Sequence, residues 1–354
     1  MSLSVRRYSV EHLLAVVQRL FEHRGLEKGK ASSVATSLVT ADMLGHSTHG
    51  LAIAPWYLEE LGSGGMRAAG EVQVISDRGA CLAWDGQRLP GAWLIDQAID
   101  VALERVSAHG VVTCTIANGH HTGALATYLP RITQLGFMAV IACSGPASQG
   151  VAPYGGLKGL FTPNPLAAGI PSHGDPVMLD ISCSITTIKR SIQLAEAGER
   201  YPGLWAMDAD GQPTDDPRVL LEQGGSLLPV GGLDHGHKGY GMALLVEALT
   251  QGLSGYGRRD APTGIVMNTF LQILDPEAFG GRKAMLDETD WLVRACHANT
   301  PRPGVQQVRV PGDQALTRGR EATAQGVPLA DVIVDALSPA MAAHGLDWPG
   351  PMRQ

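Results

Sequence analysis

The sequence predicts an α/β protein with a separate helical layer, and three observations carry that prediction. In the middle of the chain, short apolar runs end in polar, glycine-flanked loops and give way to helical periodicity, as in a sheet covered by helices. The first stretch, about 65 residues, shows helical spacing and no strand pattern. The 354 residues are 44% hydrophobic and 17% charged, which excludes a disordered or coiled-coil chain. A chain of this length buries roughly three quarters of its unfolded surface, so a large core is available.

The elements follow in order. Val10, Leu13, Leu14, Val17, Leu20 and Phe21 recur at helical spacing behind Ser9, which is placed to cap. Ala31, Val34, Ala35, Leu38 and Val39 predict a second helix that runs into residues 45–50. Pro55 opens a third, carrying Trp56, Tyr57, Leu58 and Leu61. Residues 71–84 predict two strands around a turn at Asp77–Gly79, and 93–108 a helix. The β-rich run 111–117 ends at Asn118, and Leu125, Leu129, Ile132 and Leu135 predict the next helix. Strands are expected at 137–143, 177–181 and 264–274, with Pro and Gly dominating up to residue 176. Residues 198–235 are loop-rich, and helices are expected at 238–253, 282–296 and 328–344. The terminal helices are expected to pack together, residues 1–70 with 281–354, around an α/β body at 71–280.

Composition narrows the function classes. A formal charge of -7, without a run of five Lys or Arg, disfavours a nucleic-acid partner. The N-terminal apolar residues are interrupted by charge, unlike a signal peptide or membrane anchor, and no 18-residue apolar stretch occurs. Five widely spaced cysteines do not form a disulfide framework. A cytoplasmic protein is expected.

Three polar clusters stand at element ends, where side chains converge on clefts. His46-Ser47-Thr48-His49-Gly50 reads either as a helix cap or as groups that bind a polar substrate, with a histidine able to move a proton. Asn118-Gly119-His120-His121-Thr122-Gly123 follows a strand, where ligands of α/β proteins commonly bind; it is either a turn or the seat of a general acid/base. Gly231 to Gly241, with Lys238, opens a helix and suits a phosphate, or is a flexible loop. The chain lacks G-x-G-x-x-G, G-x-S-x-G, H-E-x-x-H and C-x-x-C. The histidine pairs lack a companion carboxylate or cysteine at ligand spacing, so no metal is expected.

Together these clusters make the chain resemble the malate/L-lactate dehydrogenase type 2 family, also called sulfolactate dehydrogenase-like, over residues 8 to 345. The matching segments include GHSTHGLAIAPWYLEEL (45–61), NGHHTGALATYLP (118–130), VAPYGGLKGLFTPNPLAAGIP (151–171), VMLDISCS (177–184), HKGYGMALLVEALTQGLSG (237–255) and VPGDQA (310–315). The double histidine resembles the hydroxycarboxylate dehydrogenase branch. The resemblance implies a non-Rossmann NAD(P)-binding fold, which accounts for the missing glycine fingerprint. It also implies a homodimer and hydride transfer between NAD or NADP and C2 of a 2-hydroxy or 2-oxo acid. By position, His121 falls on the catalytic histidine. His49 falls beside it, Thr48 and Tyr57 fall on substrate-facing positions, and His120 is expected there too. Ser144, Asp180, Ile181, Ser182, Lys238, Gly312 and Asp313 fall on cofactor-contacting segments. Ile53 stands where many relatives carry a carboxylate-binding Arg, so another cation or a more apolar substrate is expected. Lys189 and Arg190 are either an exposed basic pair or a contact for an NADP phosphate. The alternatives are a cyclic imine (piperideine-2-carboxylate type) reductase, a metal-dependent hydrolase and a catalytically dead ligand-binding relative.

Overall fold

The computed structural model describes residues 5–352. Its strands are β1 (Val5–Tyr8), β2 (Gln73–Asp77), β3 (Cys81–Asp85), β4 (Val111–Gly119), β5 (Met138–Ser144), β6 (Leu166–Ile170), β7 (Val177–Ile181), β8 (Ala206–Met207), β9 (Pro213–Thr214), β10 (Ser226–Leu227), β11 (Met267–Leu274) and β12 (Val327–Ala330). The first four long helices are α1 (Val10–His23), α2 (Lys28–Leu44), α3 (Ala54–Ser63) and α4 (Gly91–His109).

The centre is a seven-stranded mixed sheet in the order β2-β3-β4-β11-β5-β6-β7. Its one parallel pair is β3 with β4, joined by α4 as a crossover, and every other pair in it is antiparallel. Successive side chains of a strand face opposite sides. Leu271 and Ile273 therefore meet the apolar stripe of α4 (Leu94, Ile95, Ala98, Ile99, Ala102, Val106), while Phe270 faces Ala243 and Val246 of the helix His237–Glu247. Both faces of the sheet are covered, so it is an α/β core as expected.

A second core joins the chain's beginning to its end. Leu13, Val17, Leu20 and Phe21 of α1, with Val34, Leu38 and Tyr57 of α2 and α3, pack on Leu329, Leu337 and Met341. Each fully buried side chain of this kind contributes roughly 1.5–3 kcal/mol. β1 pairs antiparallel with β12, which ties the two ends by backbone hydrogen bonds. The helix Arg282–His297 is tied elsewhere, through His173 to Asp287 and Asp290.

Several elements depart from expectation for visible reasons. The helix expected over 328–344 starts at Asp331, because Val327–Ala330 is taken by β1. The helix expected over 238–253 changes at Ala248–Gly252 into a π-helical turn. β6 and the helices Ile188–Glu196 and Asp313–Gln325 were not anticipated; β6 reads LAAGI and lacks a β-branched run. All five cysteines are free. Among the described residues no helix is long and apolar enough to cross a membrane.

Candidate active site

Two loop segments bring the histidines together. The first leaves α2 at Gly45, whose φ of +87° suits a helix end without a Cβ. Beneath the turn, the buried Asp42 carboxyl accepts the Leu51 N–H at 2.8 Å. A Cβ on Gly50 would fall 2.2 Å from Asp42 Oδ1, so only glycine allows this approach. Burial pushes the Asp42 carboxyl up to about 7, against the Leu51 N–H, which lowers it. The turn carries Thr48, whose hydroxyl lies 2.9 Å from His49 Nδ1.

The second segment leaves the end of β4. Asn118 has φ +52°, and its N–H donates to Asn268 Oδ1 at 3.0 Å. The first residue of α4 then presses on the next carbonyls: a Cβ on Gly91 would meet His120 O at 2.4 Å and His121 O at 2.6 Å. The two histidines diverge, as neighbours in extended chain must. His120 is fully buried, with Nε2 3.2 Å from Glu60 Oε2 and no partner for Nδ1. His121 turns to the other side and stays partly open.

There the rings pack closely. His121 and His49 stack with centroids 5.8 Å apart and planes at 13°. Trp56 stands edge-on to His121 at 5.3 Å. The Tyr57 hydroxyl is 2.6 Å from His121 Nδ1 and within 3.4 Å of the His121 carbonyl. Gly123 N–H also points at Nδ1, at 3.3 Å. His121 Nε2 has no hydrogen-bond partner among the described residues.

This packing keeps the rings neutral. Burial, then His49 and His120, holds the His121 imidazole well below its usual value. Burial, then His46 and Lys189, lowers His49 to about 4. Burial lowers His120 to about 4 against the opposing pull of Glu60. The buried Tyr57 phenol is raised, so it keeps its proton. It can donate that proton to Nδ1, or give it to the His121 carbonyl and accept an Nδ1–H. Nε2 can therefore present either a proton or a lone pair.

Beside this cluster lies a cavity of about 870 Å³, reached from His46. Asp180, Ile181 and Gly312, each expected at a cofactor, line it together with Arg302, Arg309 and Arg318. None of these three arginines has a hydrogen-bond or ion-pair partner among the described residues. Asp180 Oδ2 accepts the Ala126 N–H at 2.8 Å. Gly312 packs on β7, where a Cβ would come 2.9 Å from Met178 N. The space and the unpaired cationic wall fit a dinucleotide with its phosphates. Other expected residues stand differently. Ser182 donates to Ser184 O at 2.7 Å. Lys238 is exposed at the start of its helix, held against this segment by Gly239, where a Cβ would lie 2.7 Å from Cys183 O. Ser144 is fully buried and bound to Thr250 at 2.6 Å and Gln251 at 3.0 Å. Asp313 is held by His297 at 2.8 Å. The arginine wall, Trp56, Asp42 and Gly91 had not been singled out as site residues. Only the arginines carried a sequence signal, as three cations flanking VPGDQA. Among the described residues no group of three His, Cys, Asp or Glu side chains is arranged to hold a metal.

The comparisons with known proteins agree with this frame. The family model of malate/L-lactate dehydrogenases matches residues 8–338. The chain is 33% identical over 302 residues to an L-lactate dehydrogenase of Cupriavidus necator, covering 83% of this chain and 85% of the relative. It is 27% identical over 338 residues to hydroxycarboxylate dehydrogenase B of Escherichia coli, covering 92% and 91%. The solved malate dehydrogenase of Entamoeba histolytica superposes with a TM-score of 0.92 at 21% identity, covering 98% of this chain and 100% of that one, a likeness of fold. The class is thus an oxidoreductase of the 2-hydroxy acid dehydrogenase type. Within it, the chain belongs to the malate/L-lactate dehydrogenase family.

Proposed function

We propose that the protein is an NAD- or NADP-dependent 2-hydroxycarboxylate dehydrogenase in which the bound nicotinamide supplies or takes the hydride at substrate C2. The observation that carries this reading is the 2.6 Å contact of Tyr57 with His121 Nδ1, which leaves His121 Nε2 free beside the stacked His49. In oxidation Nε2 takes the hydroxyl proton, and Tyr57 accepts the resulting Nδ1–H. In reduction the same proton returns to the developing alkoxide. A ring whose proton affinity is pressed down is a good donor to an alkoxide and stays an available base at neutral pH. Asp180, Ile181, Gly312 and the arginine wall would hold the cofactor, with Ser182 and Lys238 at the adjoining segment. His49 and Thr48 would meet the substrate, and Trp56 with the apolar Ile53 favours a larger apolar side chain. The assembly we propose is a homodimer.

The test is turnover followed at the nicotinamide absorbance, with each cofactor against pyruvate, oxaloacetate, phenylpyruvate and piperideine-2-carboxylate. Turnover of a 2-oxo acid is expected, and His121→Ala should lower kcat roughly 100- to 10,000-fold with folding retained. A variant at near-normal turnover removes His121 from the reaction. Preference for piperideine-2-carboxylate makes the enzyme an imine reductase instead.

A further inference from the structure

This inference rests on the 2-oxo-acid reading and asks what holds the substrate's carboxylate. A carboxylate leaving water for a ring-lined cleft needs a cation with free hydrogen-bonding capacity. Ile53 provides none: it is 5% exposed and packs into the helical core.

The nearby cations sort by what already holds them. Arg88 is bound to Asn118 Oδ1 at 3.2 Å and Thr263 O at 2.8 Å. Lys30 is paired with Glu27 and lies over the Trp93 ring at 4.1 Å. Arg131 is held by Asp96 and Asp100. Lys189 is half-buried yet has no hydrogen-bond or ion-pair partner among the described residues.

Its place follows from the chain's path. β7 ends at the cavity wall with Asp180 and Ile181. Backbone bonds from Cys183 N to Pro163 O (2.7 Å) and from Ile185 N to Leu228 O (3.0 Å) then steer the chain to Thr187, which caps the helix Ile188–Glu196. Ile188 is spent on packing, since a Cβ on Gly150 would touch its Cδ1 at 2.5 Å. Arg190 is exposed and reaches Gln193 at 3.5 Å. Ser191 and Leu194 point inward. Lys189 lies between these directions. The ammonium is also felt at His49, where its field opposes a proton. An unpaired, partly desolvated ammonium within electrostatic reach of His49 is the arrangement an incoming anion would complete.

We propose that Lys189 binds the substrate carboxylate and so sets the reacting carbon toward His121. Lysine offers a point charge rather than the fork of an arginine, so it suits a carboxylate approached from one side.

The test uses the full-length protein with saturating cofactor, and phenylpyruvate against its methyl ester. For Lys189→Ala the KM for the acid should rise about 10- to 100-fold, the loss typical of a charge-assisted hydrogen bond, while the ester's KM stays unchanged. Cofactor Kd by NADH and NADPH fluorescence should not move, and Lys189→Arg should recover part of the acid preference. A Lys189→Ala enzyme with unchanged KM for the acid overturns this inference alone. So does a rise in cofactor Kd without selectivity for the acid, which makes the lysine a cofactor contact. A wild type that turns over neither compound overturns the oxo-acid reading, and this inference with it.

Discussion

The two walls of the site are built on opposite principles. The wall formed by the turn after α2 and the end of β4 is ring-packed and kept neutral, with His49, His121, Trp56 and Tyr57 in mutual contact. The wall formed by residues 299–318 is largely exposed and carries Arg302, Arg309 and Arg318 unpaired. Proton transfer needs a group whose position and protonation are both fixed, and burial with close packing fixes them. Anion capture needs charge that no internal partner has consumed, and exposure keeps such charge affordable. Damage to the first wall should therefore appear in kcat, and damage to the second in ligand affinity.

The sharpest way to break the first wall avoids the histidines altogether. Gly91→Ala would place a Cβ 2.4 Å from His120 O, 2.6 Å from His121 O and 2.8 Å from His121 C, all backbone atoms that cannot swing aside. The segment must shift, and a misplacement of about 1 Å can cost roughly 100-fold in rate. We expect kcat to fall by about that factor while the cofactor Kd holds. Equal loss of both would show that the two walls move as one body.

The second wall should respond more mildly. Arg318→Ala removes one unpaired cation from a group of three at the cavity. The cofactor Kd should rise about 5- to 10-fold, less so at high salt because exposed charges are screened. At saturating cofactor kcat should be unchanged. A fall in kcat with unchanged Kd would place Arg318 on the proton-transfer side.

The first wall was also the more legible one in the sequence. The periodicity of α1 and α2, the β-rich run of β4 and the clusters at 45–50 and 118–123 are local signals. They placed His49, His121 and Tyr57 near one another before any coordinates were considered. Adjacency alone could have separated the roles of His120 and His121, because neighbours in extended chain face opposite ways. What stayed hidden is non-local. β11 inserts between β4 and β5 from more than 120 residues downstream of β5, and only packing reveals it. β1 and β12 are four residues each and define one another across the whole chain. The arginine wall depends on the loop 299–312 folding back on β7, where Met178 N donates to Pro311 O at 3.0 Å. The sheet's directions were equally invisible, because an apolar run reads the same way whether its neighbour is parallel or antiparallel.

The smallest effect tests why the neutral wall holds its shape. Asp42 supports the turn under His49 by accepting the Leu51 N–H, and burial raises its carboxyl to about 7. In the unfolded chain an aspartate titrates near 3.9. Between about pH 4 and pH 7 the folded state therefore binds more protons, and this group's contribution to stability falls as pH rises. His49, His120 and His121, all lowered on folding, slope the other way below about 6.5. Those histidines are common to wild type and Asp42→Asn, so their slope cancels in the difference. An asparagine oxygen can still accept the Leu51 N–H but never ionises. The stability of Asp42→Asn relative to wild type should climb from pH 4 to pH 7 by up to a few kcal/mol and then level off. Urea unfolding at five pH values would measure it. A flat difference would mean that Asp42 ionises as it does in water, and that packing other than this carboxyl holds the turn.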